Sequence, residues 1–141
     1  MLLLAGCGKI GAPAFASDPQ MVGLNAALAA QAQSFYDALP AKTAPECGYA
    51  ANEPGYAAMQ QQATAIATRA AVDPRDASLR RAADALRRTI DGAAESHRRA
   101  SAQTDGRFGL CMAPAAIALD ADAVARATTA VADLERARGD R

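Results

Sequence analysis

Apolar side chains recur along this chain at intervals of three and four residues, the spacing that lines up one face of an α-helix. The first run is Leu24, Leu28, Phe35 and Leu39. Asp18-Pro19 ahead of it has the form of an N-cap with proline at the first helical position, and Pro40 behind it stops the helix. The second run is Tyr56, Met59, Ala63, Ile66 and Ala70, and Glu53-Pro54 sets its predicted start. Asp73-Pro74 marks a tight break and the predicted cap of a third helix reaching about Ala102, with the stripe Leu79, Ala83, Leu86, Ile90, Ala93 and His97. Its outer faces set Asp76 against Arg80, Asp84 against Arg88 and Glu95 against Arg99, i,i+4 pairs of roughly 0.2–0.5 kcal/mol each. Pro114 opens the last helical region. Asp120 is placed to recap it, Val124, Ala127, Val131 and Leu134 form its stripe, and Gly139 ends it.

Four amphipathic helices on short loops predict an all-α fold, an up-down-up-down four-helix bundle over residues 18–141, because short connections make neighbouring helices antiparallel. The competing arrangement is a three-helix core with a loosely packed first helix. Composition agrees with helix: apolar residues make up 51% of the chain, many of them Ala, with no Trp, three Phe and three Tyr. Such a core has few large side chains and needs close helix packing. With 141 residues the chain suits one domain that buries roughly two-thirds of its unfolded surface.

Charge is balanced at 15 basic and 15 acidic residues, so nothing global draws the chain to nucleic acid, and no nucleic-acid partner is expected. No apolar run approaches the ~20 residues of a membrane-spanning helix, so any membrane attachment is expected to be covalent or peripheral.

Leu4-Ala5-Gly6-Cys7 resembles the bacterial lipobox: Leu, then Ala or Ser, then Gly or Ala, then Cys. The resemblance covers only the first seven residues. It implies a diacylglycerol thioether on Cys7, cleavage before it and, in many Gram-negative species, a further acyl chain such as palmitate on the new α-amine. A lipid bilayer is then the partner of Cys7. Two or three chains anchor stably, since each buried CH₂ contributes about 0.8 kcal/mol and one chain is marginal. A signal peptide needs a basic region and an apolar stretch of about 7–15 residues. Met1 to Leu4 supply neither, so translation is expected to start upstream, leaving 1–6 as a truncated signal-peptide remnant. Residues 7–17 then form the lipidated cysteine and a disordered, flexible tether of small residues with Gly and Pro. By the sorting pattern of Gram-negative lipoproteins, Gly8 after the cysteine implies the periplasmic face of the outer membrane.

Cys47 falls in the loop between helices one and two, and Cys111 in the loop Thr104 to Met112 between helices three and four. An up-down-up-down bundle puts both loops at one end, and an oxidising compartment joins such a pair as a disulfide. Closing that loop removes about 4 kcal/mol of denatured-state entropy. A cysteine with aromatics before helix two, and Gly109 to Pro114 read as Gly-x-Cys-x-x-Pro, together look like small uncharacterised helical lipoproteins of proteobacteria. That likeness implies no activity.

His97 is the sole histidine. It lies on an apolar stripe near the disulfide end, where Tyr36 and Tyr49 are also expected. These three are the candidate ligand or partner site, although a histidine so placed is more often simply hydrogen-bonded within the bundle. No cofactor or metal is expected. There is no Cys-x-x-Cys-His for c-type haem, Met21 and His97 fall at opposite ends, and no Glu-x-x-His pair is present for a di-iron site. Arg80/Arg81, Arg87/Arg88 and Arg98/Arg99 read as a solvated face balanced by Asp84, Asp91 and Glu95. With no Gly-x-Ser-x-Gly elbow and no phosphate loop, the expectation is a non-enzymatic envelope lipoprotein whose bundle supports an assembly or docks an envelope protein. The alternative is a small-ligand or metal-binding module near His97 and the disulfide.

Overall fold

The computed structural model describes residues 16–103 and 110–140. Residues 1–6, Cys7 and the tether up to residue 15 lie outside the described residues, as do Gly106 and Gly109. The described chain forms α1 (Pro19–Ala38), continued by a 3-10 turn at Leu39–Ala41, then α2 (Tyr49–Ala70), α3 (Ala77–Ala102) and α4 (Pro114–Gly139). Each helix packs against two neighbours: α1 on α2 and α4, α3 on α2 and α4. The fold is thus an all-α, four-helix bundle with α1 fully incorporated, and the three-helix alternative falls.

The packing is antiparallel throughout. Near one end Tyr56 of α2 meets His97 of α3. At the other, Asp18 at the start of α1 binds Arg69 at the end of α2, and Glu135 near the end of α4 accepts from the Asp18 N–H at 2.9 Å.

The stripes of α2 and α3 are buried as their periodicity predicts: Tyr56, Met59, Ala63, Ile66 and Ala70 on one, Leu79, Ala83, Leu86, Ile90, Ala93 and His97 on the other. On α1 and its 3-10 extension Leu28 and Leu39 are buried as predicted, whereas at the other two stripe positions the buried line is shifted by one residue. Met21, Asn25, Leu28, Ala32 and Tyr36 are buried, whereas Leu24 and Phe35 are half-buried at its edge. The amide of Asn25 donates to the Thr128 carbonyl of α4 at 2.8 Å, so a polar residue earns a core position by closing an interhelical hydrogen bond. On α4 the buried set includes Thr128 and Glu135, while Ala127 and Leu134 are half-buried.

Three predicted boundaries move, each for a tertiary or capping reason. Helix α2 starts at Tyr49, and Pro54 sits inside it. Gly48 supplies no side-chain cap there; instead the Tyr49 N–H donates to Ser101 Oγ at the end of α3, at 2.8 Å. Helix α3 starts at Ala77 because Asp76 caps it, accepting from the Leu79 N–H at 2.9 Å, while Asp73 closes a turn onto the Arg75 N–H. Asp76 also reaches Arg138 of α4 at 3.5 Å, in place of the predicted Arg80. Helix α4 runs unbroken through Asp120, so no second cap is needed. The expected Glu95–Arg99 pair forms, with Arg98 on the same carboxylate, and Arg87 pairs with Asp91. These exposed pairs are worth ~0–1 kcal/mol each.

Two helical glycines separate packing from propensity. A Cβ on Gly92 of α3 meets nothing within 4 Å, whereas one on Gly55 of α2 lies 2.6 Å from the Phe35 ring. Gly92→Ala is expected to raise stability by about 0.5–1 kcal/mol through propensity alone. Gly55→Ala gains the same propensity but must displace the ring, at a cost of about 1–3 kcal/mol, so its net effect is destabilising. Chemical denaturation of the two variants checks this; equal effects would remove the α1–α2 contact from the account.

Candidate functional site

One polar grouping of the interior lies near the disulfide end. Cys47 and Cys111 are bonded, their Cα atoms 5.0 Å apart, which joins the α1–α2 and α3–α4 connections as the up-down topology requires. One and a half turns or so inside that end, each helix contributes one titratable side chain: Tyr36 from α1, Tyr56 from α2, His97 from α3 and Asp120 from α4. Two of the three tyrosines, Tyr49 and Tyr56, pack against His97, and Phe35 links Tyr56 to the third, Tyr36. Tyr49 and Tyr56 meet the imidazole edge-on at 5.9 and 5.6 Å between centroids, Tyr49 stacks on Tyr56 at 5.9 Å, and Phe35 bridges Tyr56 and Tyr36 at 4.8 and 5.1 Å. Edge-to-face pairs of this kind add about 0.5–1.5 kcal/mol beyond burial.

The three predicted residues are therefore brought into one cluster. His97 and Tyr49 are in direct ring contact, and Tyr36 joins them through Phe35 and Tyr56. Tyr56 and Asp120 were not read as site residues. Tyr56 looked like an ordinary stripe position, and Asp120 looked like a cap.

His97 is fully buried, and both ring nitrogens have partners. Nε2 lies 2.8 Å from the Cys47 carbonyl and Nδ1 lies 3.2 Å from the Tyr56 hydroxyl. The carbonyl can only accept, so Nε2 carries the proton and donates; Nδ1 then accepts from the Tyr56 O–H. This is the neutral imidazole with both valences filled by protein. Burial lowers its pKa below the ordinary 6.5, against the raising effect of the Cys47 carbonyl, and the Lys42 charge lowers it further. A metal or ligand at His97 has to displace an internal hydrogen bond. Among the described residues no group of three His, Cys, Asp or Glu is arranged to hold a metal ion. No family model, curated protein or solved structure matches the chain.

The rest of the cluster is less complete. Burial pushes the Tyr36 and Tyr56 hydroxyls well above their usual range, with the Asp120 charge adding to both. Burial also raises the Asp120 carboxyl. Asp120 Oδ2 is buried without a hydrogen-bond partner, while the Tyr36 hydroxyl has the Tyr56 side chain as its hydrogen-bonding neighbour.

The neutral His97 has a thermodynamic consequence. The unfolded chain takes up a proton as pH falls through 6.5, and the folded chain resists it. Its contribution is therefore complete above that value and is lost as pH drops from there through the depressed folded value. Asp120 works the other way, gaining stability on acidification. Urea unfolding at about pH 7.5 and about pH 5.5 is expected to show wild-type stability falling on acidification, with the fall reduced or reversed in His97→Gln. An identical fall in the variant would place the titration elsewhere.

Proposed function

We propose that this chain is a non-enzymatic lipoprotein of the bacterial cell envelope, held to a membrane by acyl chains on Cys7 and presenting the bundle from residue 18 onward to an envelope protein or assembly. The observation that carries this reading is the tetrapeptide Leu4-Ala5-Gly6-Cys7, followed by a small-residue spacer up to Ser17. The Cys47–Cys111 disulfide supports it, since structural disulfides persist in exported proteins and are rare in reducing compartments. The side chains support a scaffold over a reaction centre. The one histidine has both nitrogens engaged, and its neighbours are aromatic rings and a backbone carbonyl. The ligand-binding alternative at His97 finds no free lone pair there. By analogy with Gram-negative lipoprotein sorting, Gly8 favours the outer membrane and its periplasmic face.

Among the described residues no helix is long and apolar enough to cross a membrane. Fractionation of a Gram-negative host producing the chain with a full export signal tests the anchor. The wild type is expected in the membrane fraction, released by detergent and not by salt, and the chain from Gly8 onward behind a signal peptide that is cleaved without lipidation in the soluble periplasmic fraction. Membrane retention of that unlipidated form, or a soluble wild type, would overturn the reading.

A further inference from the structure

The inner faces of α1 and α4 are as fully buried, at Met21, Leu28, Val124 and Val131, as those of α2 and α3 at Met59, Ile66, Leu86 and Ile90. On the outer side of the α1–α4 seam the two helices meet through alanines and short polar residues, and the surface between them is hollow. A hollow of about 700 Å³ and a second of about 410 Å³ share Ala29, Thr128 and Thr129, so they lie next to each other along the seam and are treated together as one groove. On α1 the groove extends from Val22 to Pro40, about 27 Å at the helical rise per residue. Alanines, Val124 and Val131 line it together with Asn25, Thr128, Thr129 and the buried Glu135, and Asp37, Asp122 and Arg136 are exposed beside it.

One end of the groove is formed by Ser17. The described chain begins next to it, and Glu135 fixes its position by accepting from Ser17 Oγ and from the Asp18 N–H. The first described residues, Ala16 and Ser17, therefore lie at the mouth of the groove. Ten residues separate Cys7 from Ser17. Fully extended they span at most about 33–36 Å, and less when coiled, so a lipid on Cys7 can reach the opening and enter it.

We propose that the α1–α4 groove is a binding site for one saturated acyl chain, the one carried by Cys7 of the same molecule. The inference rests on the lipid anchor proposed above and adds to it a state in which the bundle covers one of its own chains. A narrow, elongated, small-residue groove matches an unbranched chain, and moving methylenes out of water into it is favourable. The tether holds the chain beside the site at a high effective concentration, so even a half-open groove is occupied. A bilayer buries every methylene on all sides and accepts the other chains as well. It therefore competes the chain out of the groove, and the shielded form belongs to the acylated protein when it is out of a bilayer.

The test uses the chain from Cys7 to Arg141, in which Cys7 is the one free thiol once Cys47 and Cys111 are bonded. Cys7 is alkylated with a hexadecyl maleimide, or with a methyl maleimide as control, and amide and methyl NMR spectra are compared without detergent. The expected result is that the hexadecyl chain perturbs Val22, Ala26, Ala29, Ala125 and Ala132 and shows NOEs to their methyl groups. Ala29→Phe with Ala125→Phe, which fills the groove, is expected to abolish those NOEs at unchanged helicity and to turn the alkylated monomer into micelle-like aggregates. NOEs scattered over other faces, none at all, or a concentration-dependent dimer formed through the seam would overturn the proposal. Because the chain is attached chemically, such a failure is distinct from failure of the lipoprotein reading, which is read from the mass of the native Cys7 peptide.

Discussion

Replacing Cys47 and Cys111 together by alanine is expected to lower unfolding stability by about 4 kcal/mol. The disulfide closes a loop of sequence separation 64, and that length sets the entropy which the denatured chain recovers on reduction. The bond is also linked to the polar core: the Cys47 carbonyl accepts the proton of His97 Nε2. Loosening residues 47–48 therefore weakens the hydrogen bond that orients the imidazole as well as the staple. Urea titration of the double variant measures the loss, and the oxidised wild type in reducing agent should approach it. A loss under about 1 kcal/mol would mean that the bundle holds its ends together without the crosslink.

Glu135→Ala is expected to cost about 3–5 kcal/mol, far more than any surface pair. Glu135 is 1% exposed and lies in a network that takes a residue from the end of every helix. It accepts from the Asp18 N–H of the α1 cap and pairs with Arg138 at 2.7 Å. Arg138 reaches Asp73 and Asp76 ahead of α3, and Asp18 binds Arg69 at the end of α2. Removing the carboxylate takes the acceptor from the Asp18 N–H and the nearest carboxylate from the nearly buried Arg138 guanidinium, which keeps only the longer contacts to Asp73 and Asp76, and that loss inside the bundle is the source of the cost. Glu135→Gln keeps the acceptor and should lose less. The exposed Arg126–Asp122 pair provides the contrast: Arg126→Ala is expected to change stability by under ~1 kcal/mol. Similar losses for Glu135→Ala and Arg126→Ala would show that the four-end network is not coupled.

The two predictions fall at opposite ends of the bundle, and those ends differed in how legible they were. The disulfide end could be read from the sequence because two independent signals converged, the four amphipathic stripes and the positions of Cys47 and Cys111 in alternate loops. The Glu135 end could not. Glu135 follows Leu134 on α4, and local periodicity assigns the buried face to leucine; only the approach of Ser17, Asp18 and Arg138 makes the carboxylate the buried member. The same holds for Asn25 and Thr128, whose side-chain-to-carbonyl bond spans 103 residues. The start of α2 at Tyr49 was hidden for a related reason, since its orphan N–H is satisfied by Ser101 from another helix. At the candidate site, His97, Tyr36 and Tyr49 were placed near one another by helix ends alone. Tyr56 supplies the partner that fixes the tautomer of His97, and its stripe position suggested nothing beyond core packing. A polar residue at a core register is a signal only when its partner is known, and that partner is a tertiary fact.

This physical chemistry describes a bundle stapled at one end, ion-paired at the other, and hollow along the seam where its N-terminal segment departs. The lipid on Cys7 is what would give that asymmetry a purpose, and mass spectrometry of the protein taken from its native membrane tests it most directly. The account predicts an N-terminal peptide beginning at Cys7 with the added mass of acyl chains, and a Cys47–Cys111 peptide pair carrying two hydrogen atoms fewer than the free thiols. An unacylated Cys7 in a chain with free Cys47 and Cys111 would contradict it.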